Sequence, residues 1–159
     1  RVTGCRVSLK GSDVSVAFSQ AAGGGALDFT LGTTGAHWAG LAAATLAVTL
    51  ALGLDPAKTA RALAAFREVE GRGSLHAVEA RGGTATLVDD SYNASPAAMR
   101  AAFAKLKALK DAGACGGRVL AALGDMRELG ESAPALHAEL AHDAAACGIL
   151  AAAGAALGS

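Results

Sequence analysis

The stretch from Thr84 to Phe103 places a strand pattern, a polar elbow and the start of a helix within 20 residues. Its first segment, Thr84–Val88, is short, apolar and rich in β-branched residues, which predicts a buried strand. The residues that follow are polar: Asp89, Asp90, Ser91, Tyr92 and Asn93. Because ligands of open α/β sheets bind beyond the carboxyl ends of the strands, this elbow is the strongest site candidate in the chain.

A helix is predicted directly after the elbow. Ser95 can cap this helix, and Pro96 suits its first turn, where a missing N–H group costs nothing. Apolar residues recur at three- and four-residue steps and predict one apolar face: Met99, Ala102, Phe103, Leu106 and Leu109. Three lysines follow near the helix end, where the helix dipole favours cations: Lys105, Lys107 and Lys110.

The beginning of the chain is predicted to be β-structure. Cys5–Leu9 and Val14–Phe18 alternate between apolar and polar residues, and Gly11–Asp13 is the expected turn between them. A third strand, Leu27–Leu31, follows a run of three glycines. This pattern predicts an antiparallel meander.

Two helices are predicted after the meander. The first runs from His37 to about Leu52 and is apolar nearly all round, so we expect it to be buried. The run Phe29–Leu54 has no Asp, Glu, Lys or Arg, but glycines and a histidine interrupt it, which favours a buried helix over membrane insertion. Asp55 and Pro56 begin the second helix, whose inward face is predicted to hold Ala60, Leu63 and Phe66.

Gly71-Arg72-Gly73 is predicted to link two domains, residues 1–70 and residues 74–159. The two glycines free the backbone on either side of the arginine. Arg72 is therefore either a plain linker residue or a cation that points at an anion.

The second domain alternates strands and helices. Leu75–Ala80 and Thr84–Val88 are expected to form a hairpin, while Arg118–Leu123 and Ile149–Ala153 flank a helix at Ser132–Cys147. Strands that alternate with helices in this way predict βαβ units and a parallel sheet.

Two further site candidates lie in this half. Asp125 follows the strand Arg118–Leu123, which makes Gly124-Asp125-Met126 either a second polar elbow or an ordinary turn. His137 lies one position off the apolar face of its helix, so it either approaches a site from the side or serves the structure.

Charge and motifs exclude several classes of function. The net charge is zero, which gives no electrostatic case for binding nucleic acid. Gly32-Thr33-Thr34-Gly35 lacks the Lys-Ser/Thr pair of a phosphate loop. A dinucleotide-dependent oxidoreductase would need a glycine-rich turn after the first strand of its sheet, whereas here acidic residues follow the strand directly.

Two long motifs resemble the C-terminal domain of the Mur ligases: DDSYNASPAAMRAAF at residues 89–103 and VLAALGDMRELGESAPALH at residues 119–137. Shorter pieces agree in order, namely GAH at 35–37, GLDP at 53–56 and EGRG at 70–73. The resemblance implies an α/β fold. The end of a central ATPase domain, a β meander with two helices, would precede an incomplete Rossmann-like, parallel-sheet C-terminal domain.

The resemblance implies a cytoplasmic ligase of peptidoglycan synthesis that uses ATP and Mg²⁺. Its motifs are most similar to members that add D-alanyl-D-alanine to UDP-N-acetylmuramoyl-tripeptide through an acyl phosphate. In family terms, Arg72 reaches the ATP phosphates and Asp90 holds the ribose, while His37 and Trp38 lie on the nucleotide side. The residues implied on the dipeptide side are Ser91, Tyr92, Asn93, Asp125 and His137.

The resemblance also implies that the phosphate loop and the magnesium-binding residues would precede Arg1. The chain is then expected to be a monomeric fragment without catalytic or metal-binding residues of its own, and inactive alone. Two alternatives stay open: another Mur-type ligase of the folylpolyglutamate or cyanophycin kind, and a non-catalytic fragment that binds a nucleotide.

Overall fold

The computed structural model describes residues 1–153 and divides the chain into two compact units, Arg1–Glu68 and Val69–Ser159. The division falls just before the predicted linker at residues 71–73. The last residues of the predicted second domain, 154–159, lie outside the described residues.

The first unit begins with a three-stranded antiparallel sheet. Strands β1 (Val2–Ser8), β2 (Gly11–Ala17) and β3 (Ala26–Leu31) lie in chain order. Val14 in the central strand is paired with residues of both neighbours, Cys5 and Phe29. The predicted antiparallel meander is therefore confirmed.

The first turn of the meander is not where the glycine pattern predicted it. The turn is formed by Leu9 and Lys10, and Gly11 is already the first residue of β2. Gly11 has a φ of 136°, and a Cβ atom at this position would lie 2.1 Å from the carbonyl oxygen of Leu31. The glycine is needed because the end of β3 comes so close, and not because the chain turns there.

Helices α1 (Ala36–Ala51) and α2 (Pro56–Ala65) follow the sheet. Asp55 caps α2 as predicted, since its Oδ1 accepts a hydrogen bond of 2.8 Å from the N–H group of Ala57. The buried residues form one apolar cluster across strands and helices: Val14, Val16, Leu31, Ala39, Ala42, Leu46 and Ala60.

The expectation that α1 is buried holds for one side of the helix only. Only one stripe of the helix is buried, and Leu41 on another side is 57% exposed. Phe66, expected to face inward from α2, lies just beyond the end of that helix and is 44% exposed. An apolar sequence without a polar stripe does not tell which side of a helix is covered. Among the helices that the structure describes, none is long and apolar enough to cross a bilayer.

The second unit has an α/β fold, as predicted. The hairpin of β4 (Ser74–Ala80) and β5 (Gly83–Asp89) is antiparallel. It is followed by α3 (Pro96–Asp111), β6 (Leu120–Leu123), α4 (Ala133–Ala146) and β7 (Leu150–Ala153). The predicted parallel pairing is confirmed for β6 and β7, with Leu120 opposite Leu150.

The prediction that β5 is a buried strand is wrong. Most of its residues are exposed, Leu87 to about half. Within the described strands, β5 pairs with β4 alone, in a two-stranded sheet. The apolar, β-branched composition predicted the strand correctly, but burial depends on a covering layer that composition does not specify.

Helix α3 joins the core cluster of this unit through Phe103, and its Leu109 is also buried. The core also includes Val119, Ala121, Met126, Leu140, Ala144 and Ile149. Arg100 on the outer side of α3 forms ion pairs with Glu139 and Asp143 of α4, at 3.0 and 2.7 Å. Such exposed pairs add little stability, so the apolar cluster holds the two helices together.

Lys105, one of the three lysines expected near the end of α3, lies in the interior of its unit. Its side chain is buried, with 4% of the residue exposed, and its Nζ donates a hydrogen bond of 2.6 Å to the carbonyl oxygen of Gly73. It lies three residues after Ala102 and four before Leu109, which is the spacing of the apolar face. A buried cation needs such a partner, so Lys105 connects α3 to the predicted linker.

Two leucines of α1 allow a matched test of the first core. Leu46 is fully buried, and Leu46→Ala should lower the free energy of unfolding by about 2–5 kcal/mol. Leu41→Ala removes the same atoms from an exposed site and should change it by less than about 0.5 kcal/mol. Urea unfolding followed by the fluorescence of Trp38, the one tryptophan in the sequence, reports on this unit. Equal effects of the two substitutions would contradict the assigned burial.

Candidate functional site

The segment Gly71-Arg72-Gly73 is tied to the end of β5 by its backbone. The N–H group of Gly73 donates to the carbonyl oxygen of Asp89 at 2.7 Å, and that of Tyr92 donates to the carbonyl oxygen of Gly71 at 3.0 Å. Gly71 has a φ of 72°, and a Cβ atom there would lie 3.3 Å from the Cβ of Tyr92. The glycine thus lets the two segments run side by side.

Arg72 lies over the aromatic ring of Tyr92. The central carbon of its guanidinium group is 4.0 Å from the ring centroid, well inside the range of a cation–π contact. The structure therefore brings together two residues that the sequence analysis assigned to different ligands, Arg72 to the nucleotide and Tyr92 to the dipeptide.

Asp89, which ends β5, shapes the elbow. Its Oδ1 accepts a hydrogen bond of 3.1 Å from the backbone N–H of Ser91, the pattern of an Asx turn. Hydrogen bonds from Ser91, its side chain first and its backbone second, hold the pKa of the Asp89 carboxyl below its usual value. The charge of His76 and the backbone of Gly71 contribute in the same direction. Asp89 therefore stays ionised, and its hydrogen bonds stabilise the conformation of the loop.

The remaining elbow residues are exposed between β5 and α3. Asn93 accepts a hydrogen bond of 2.9 Å from the backbone N–H of Ala94 through its own Oδ1, and Ser95 caps α3 by accepting from Ala98 at 3.3 Å. Asp90 and Ser91 also lie on the exposed part of the elbow. The carboxylate of Asp90 can only accept hydrogen bonds, so it suits a ligand rich in hydroxyl groups.

The second elbow, Gly124-Asp125-Met126, is held by His137 of α4. The Nε2 atom of His137 lies 3.1 Å from the backbone nitrogen of Met126, and its Nδ1 lies 2.7 Å from the carbonyl oxygen of Ala133. A backbone N–H can only donate and a carbonyl can only accept, so this geometry assigns the role of acceptor to Nε2 and that of donor to Nδ1. Both ring nitrogens are hydrogen-bonded to backbone atoms, while the neighbouring Asp125 is exposed.

Both elbows rest on the same apolar cluster. Ala94 after the first elbow packs against it, and Met126 of the second elbow is one of its buried members. Glu128, which follows, has a φ of 62°, a left-handed conformation that is uncommon for a residue other than glycine. The loop after β6 therefore has a defined and locally strained shape.

His37 and Trp38 lie at the start of α1, in the first unit. Their rings are 5.3 Å apart, and the Trp38 ring meets Phe66 edge-on at 5.6 Å. The indole Nε1 of Trp38 is buried without a hydrogen-bond partner among the described residues. Trp38 thus packs against its own unit, whereas Arg72 and Asp90 belong to the second.

Asp89 and Lys105 are positioning residues whose roles the sequence did not predict, although Asp89 was included in the first elbow as part of the candidate site. Asp89 ends the strand that precedes the elbow, and Lys105 occupies the apolar face of α3. In each case the position of the residue in its element could have indicated a structural role. For the residues that the structure describes, no group of three or more His, Cys, Asp and Glu side chains is arranged to hold a metal ion.

The family profile described as "Mur ligase, glutamate ligase domain" matches residues 71–156. Curated relatives named UDP-N-acetylmuramoyl-tripeptide--D-alanyl-D-alanine ligase include that of Mycobacterium tuberculosis, 38% identical over 109 residues, which are 67% of this chain and 21% of that protein. The relative from Mycobacterium leprae is 35% identical over 71% of this chain and 23% of that protein. The chain thus spans about a fifth of the length of these relatives.

Solved structures give the same result. MurF from Acinetobacter baumannii superimposes with a TM-score of 0.77 at 26% identity, over 94% of this chain and 31% of that one. MurF ligase from Thermotoga maritima in complex with ADP has a TM-score of 0.68 at 26% identity, over 89% of this chain and 30% of that one. The chain belongs to the Mur ligase family.

The hydrogen bonds of His137 predict a tautomer that can be measured. In the chain, ¹⁵N NMR at slightly alkaline pH should find His137 neutral with its proton on Nδ1. His137→Ala should speed hydrogen exchange of the Met126 amide by about two- to tenfold, the effect of losing one net hydrogen bond. His142→Ala, on the exposed side of the same helix, is the matched control and should leave that amide unchanged. A proton found on Nε2 would contradict the assignment.

Proposed function

We propose that this chain is part of an ATP-dependent ligase that joins D-alanyl-D-alanine to UDP-N-acetylmuramoyl-tripeptide, and that it holds the ribose and phosphates of the nucleotide. The observation that carries the proposal is that Arg72 lies over the ring of Tyr92. Tyr92 follows Asp90 by two residues in the sequence. The name shared by the curated relatives and the ADP complex of a structural relative support it. A monomeric enzyme in the cytoplasm, where ATP is available, belongs to the same proposal.

The proposed reaction has two steps. A carboxylate of the tripeptide attacks the γ-phosphorus of ATP, which gives an acyl phosphate and releases ADP. The amine of D-alanyl-D-alanine then attacks the acyl carbon, the bond from carbon to the phosphate oxygen breaks, and an amide forms as the amine loses a proton. Catalysis of phosphoryl transfer depends mostly on positioning and on charge stabilisation.

Arg72 is proposed to bind the ATP phosphates. A guanidinium group presents parallel N–H donors that match phosphate oxygens, and it stays charged at every physiological pH. The hydrogen bonds that tie Gly71 and Gly73 to the first elbow hold its backbone in place. Its role is to deliver positive charge to the nucleotide at a defined position.

Asp90 is proposed to hold the ribose. Its exposed carboxylate follows a strand end, and an ionised carboxylate accepts hydrogen bonds from two neighbouring hydroxyl groups. Asp89 beside it is already engaged by the backbone of Ser91, so Asp90 is the carboxylate of the pair that is proposed for the ligand.

The other site residues complete the proposal. Ser91, Asn93 and Asp125 are exposed polar groups proposed for the dipeptide side, with His137 shaping the loop next to Asp125. On the nucleotide side, His37 and Trp38 are proposed to lie near the adenine. Stacking of a base on Trp38 would use the part of the ring that His37 and Phe66 leave free.

Magnesium enters this proposal only as magnesium-ATP. Among the described residues no three potential ligand side chains are grouped, so these residues offer no Mg²⁺ site made of protein ligands alone. No step of the reaction is therefore assigned to an ion held by this chain.

The choice of the dipeptide-adding ligase over a folylpolyglutamate or cyanophycin type is supported by the name of the curated relatives.

The ribose role of Asp90 predicts a selective kinetic effect. In the intact enzyme, Asp90→Ala should raise the KM for ATP about tenfold or more, as expected when a hydrogen bond to a charged group is lost. The KM for D-alanyl-D-alanine should stay close to that of the wild type. Glu79→Ala removes an exposed carboxylate from β4 and is the matched control. Equal changes in both KM values, or none, would count against the assignment.

The chain by itself should show no ligase activity. Its 159 residues contain no G-x-x-x-x-G-K-[ST] motif, and the contacts proposed for Arg72 and Asp90 touch one side of the nucleotide. Calorimetric titration with magnesium-ATP should give a dissociation constant on the order of millimolar or weaker. A micromolar value would overturn this prediction. So would ADP release in the presence of both proposed substrates.

A further inference from the structure

Tyr92 is the one tyrosine in the sequence, and the residue is 68% exposed. The ring has one face occupied by the guanidinium group of Arg72, whose central carbon lies 4.0 Å from the ring centroid. The favourable electrostatics between the π-face and the cation partly replace the packing that an exposed ring lacks.

The backbone of this pair is fixed independently of the stack. The N–H group of Tyr92 donates to Gly71, and the neighbouring Gly73 is bound both by the end of β5 and by Lys105. Replacing the Tyr92 ring leaves these backbone hydrogen bonds in place. The contact described for the ring itself is with the Arg72 side chain, so the ring bears on the orientation of that side chain.

We infer that Tyr92 is a positioning residue that holds the guanidinium group of Arg72 ready for the nucleotide phosphates. An unrestrained arginine samples many rotamers and loses that freedom when it binds an anion. The ring limits these rotamers before the ligand arrives, so less entropy is lost on binding. This inference rests on the proposed function, because it requires that Arg72 binds phosphate.

The inference changes the role of Tyr92 from the one that the family resemblance implied. A ring with one face occupied by Arg72 has less surface for a dipeptide. Tyr92 therefore belongs to the nucleotide side and acts through Arg72, whereas Ser91 and Asn93 remain proposed for the dipeptide.

The first experiment tests the stack in the chain itself. With a single tyrosine, ring protons give unambiguous NMR signals, and a ring over the guanidinium should shift the side-chain protons of Arg72 upfield. The shift should persist in Tyr92→Phe, which keeps the ring, and disappear in Tyr92→Leu. An Arg72 spectrum that is the same with and without the ring would overturn the inference.

The second experiment measures the KM for ATP in the intact enzyme. Tyr92→Leu should raise it about two- to fivefold, the range of an exposed cation–π contact, while Tyr92→Phe stays near the wild type. Leu87→Ala, which shortens an exposed apolar side chain of β5, should have no effect. In the Arg72→Ala background, Tyr92→Leu should add nothing, because the residue through which the ring acts is gone.

The outcomes separate the two claims. If Arg72→Ala raises the KM for ATP but Tyr92→Leu does not, or if the two effects add, the inference about Tyr92 fails and the proposed function stands. If Tyr92→Leu raises the KM for D-alanyl-D-alanine instead, Tyr92 contacts the dipeptide and the inference fails. If Arg72→Ala leaves the KM for ATP unchanged, the phosphate role and the inference fail together.

Discussion

Two backbone hydrogen bonds join the start of the second unit to the end of β5 and to the loop that follows it, and the candidate site depends on them. They run from Gly73 to Asp89 and from Tyr92 to Gly71. Arg72 lies between two glycines with positive φ, a sequence that without these bonds would leave its direction undefined. With them, the arginine extends from a fixed backbone, and its guanidinium group lies over an aromatic ring.

The same segment is connected to the core of its unit by Lys105. This lysine lies on the apolar face of α3, whose other buried residues include Phe103 and Leu109, and its ammonium group reaches the carbonyl oxygen of Gly73. Burying a lysine is costly unless its donors are satisfied, so the position of α3 and that of the glycine are coupled. The second elbow is also held by a side chain from a helix, because the Nε2 atom of His137 in α4 accepts a hydrogen bond from the backbone N–H of Met126.

Local sequence patterns predicted much of this architecture. The caps at Asp55 and Ser95, each followed by proline, mark the starts of α2 and α3 where the structure has them. The alternating apolar pattern predicted the antiparallel meander, and the alternation of strands and helices predicted the parallel pair of β6 and β7. These features depend on interactions within a few residues or on a repeat along the chain, which a sequence displays directly.

Burial and pairing were decided by tertiary structure. The sequence by itself determined that Thr84–Val88 is a strand, that Lys105 lies on the apolar stripe of a helix and that Arg72 is flanked by glycines. It did not determine that the strand is exposed, that the lysine reaches Gly73, or that Tyr92 lies under the arginine. The physical reason is distance along the chain: each of these outcomes depends on which segments approach from 20 to 32 residues away, or on which face is left uncovered.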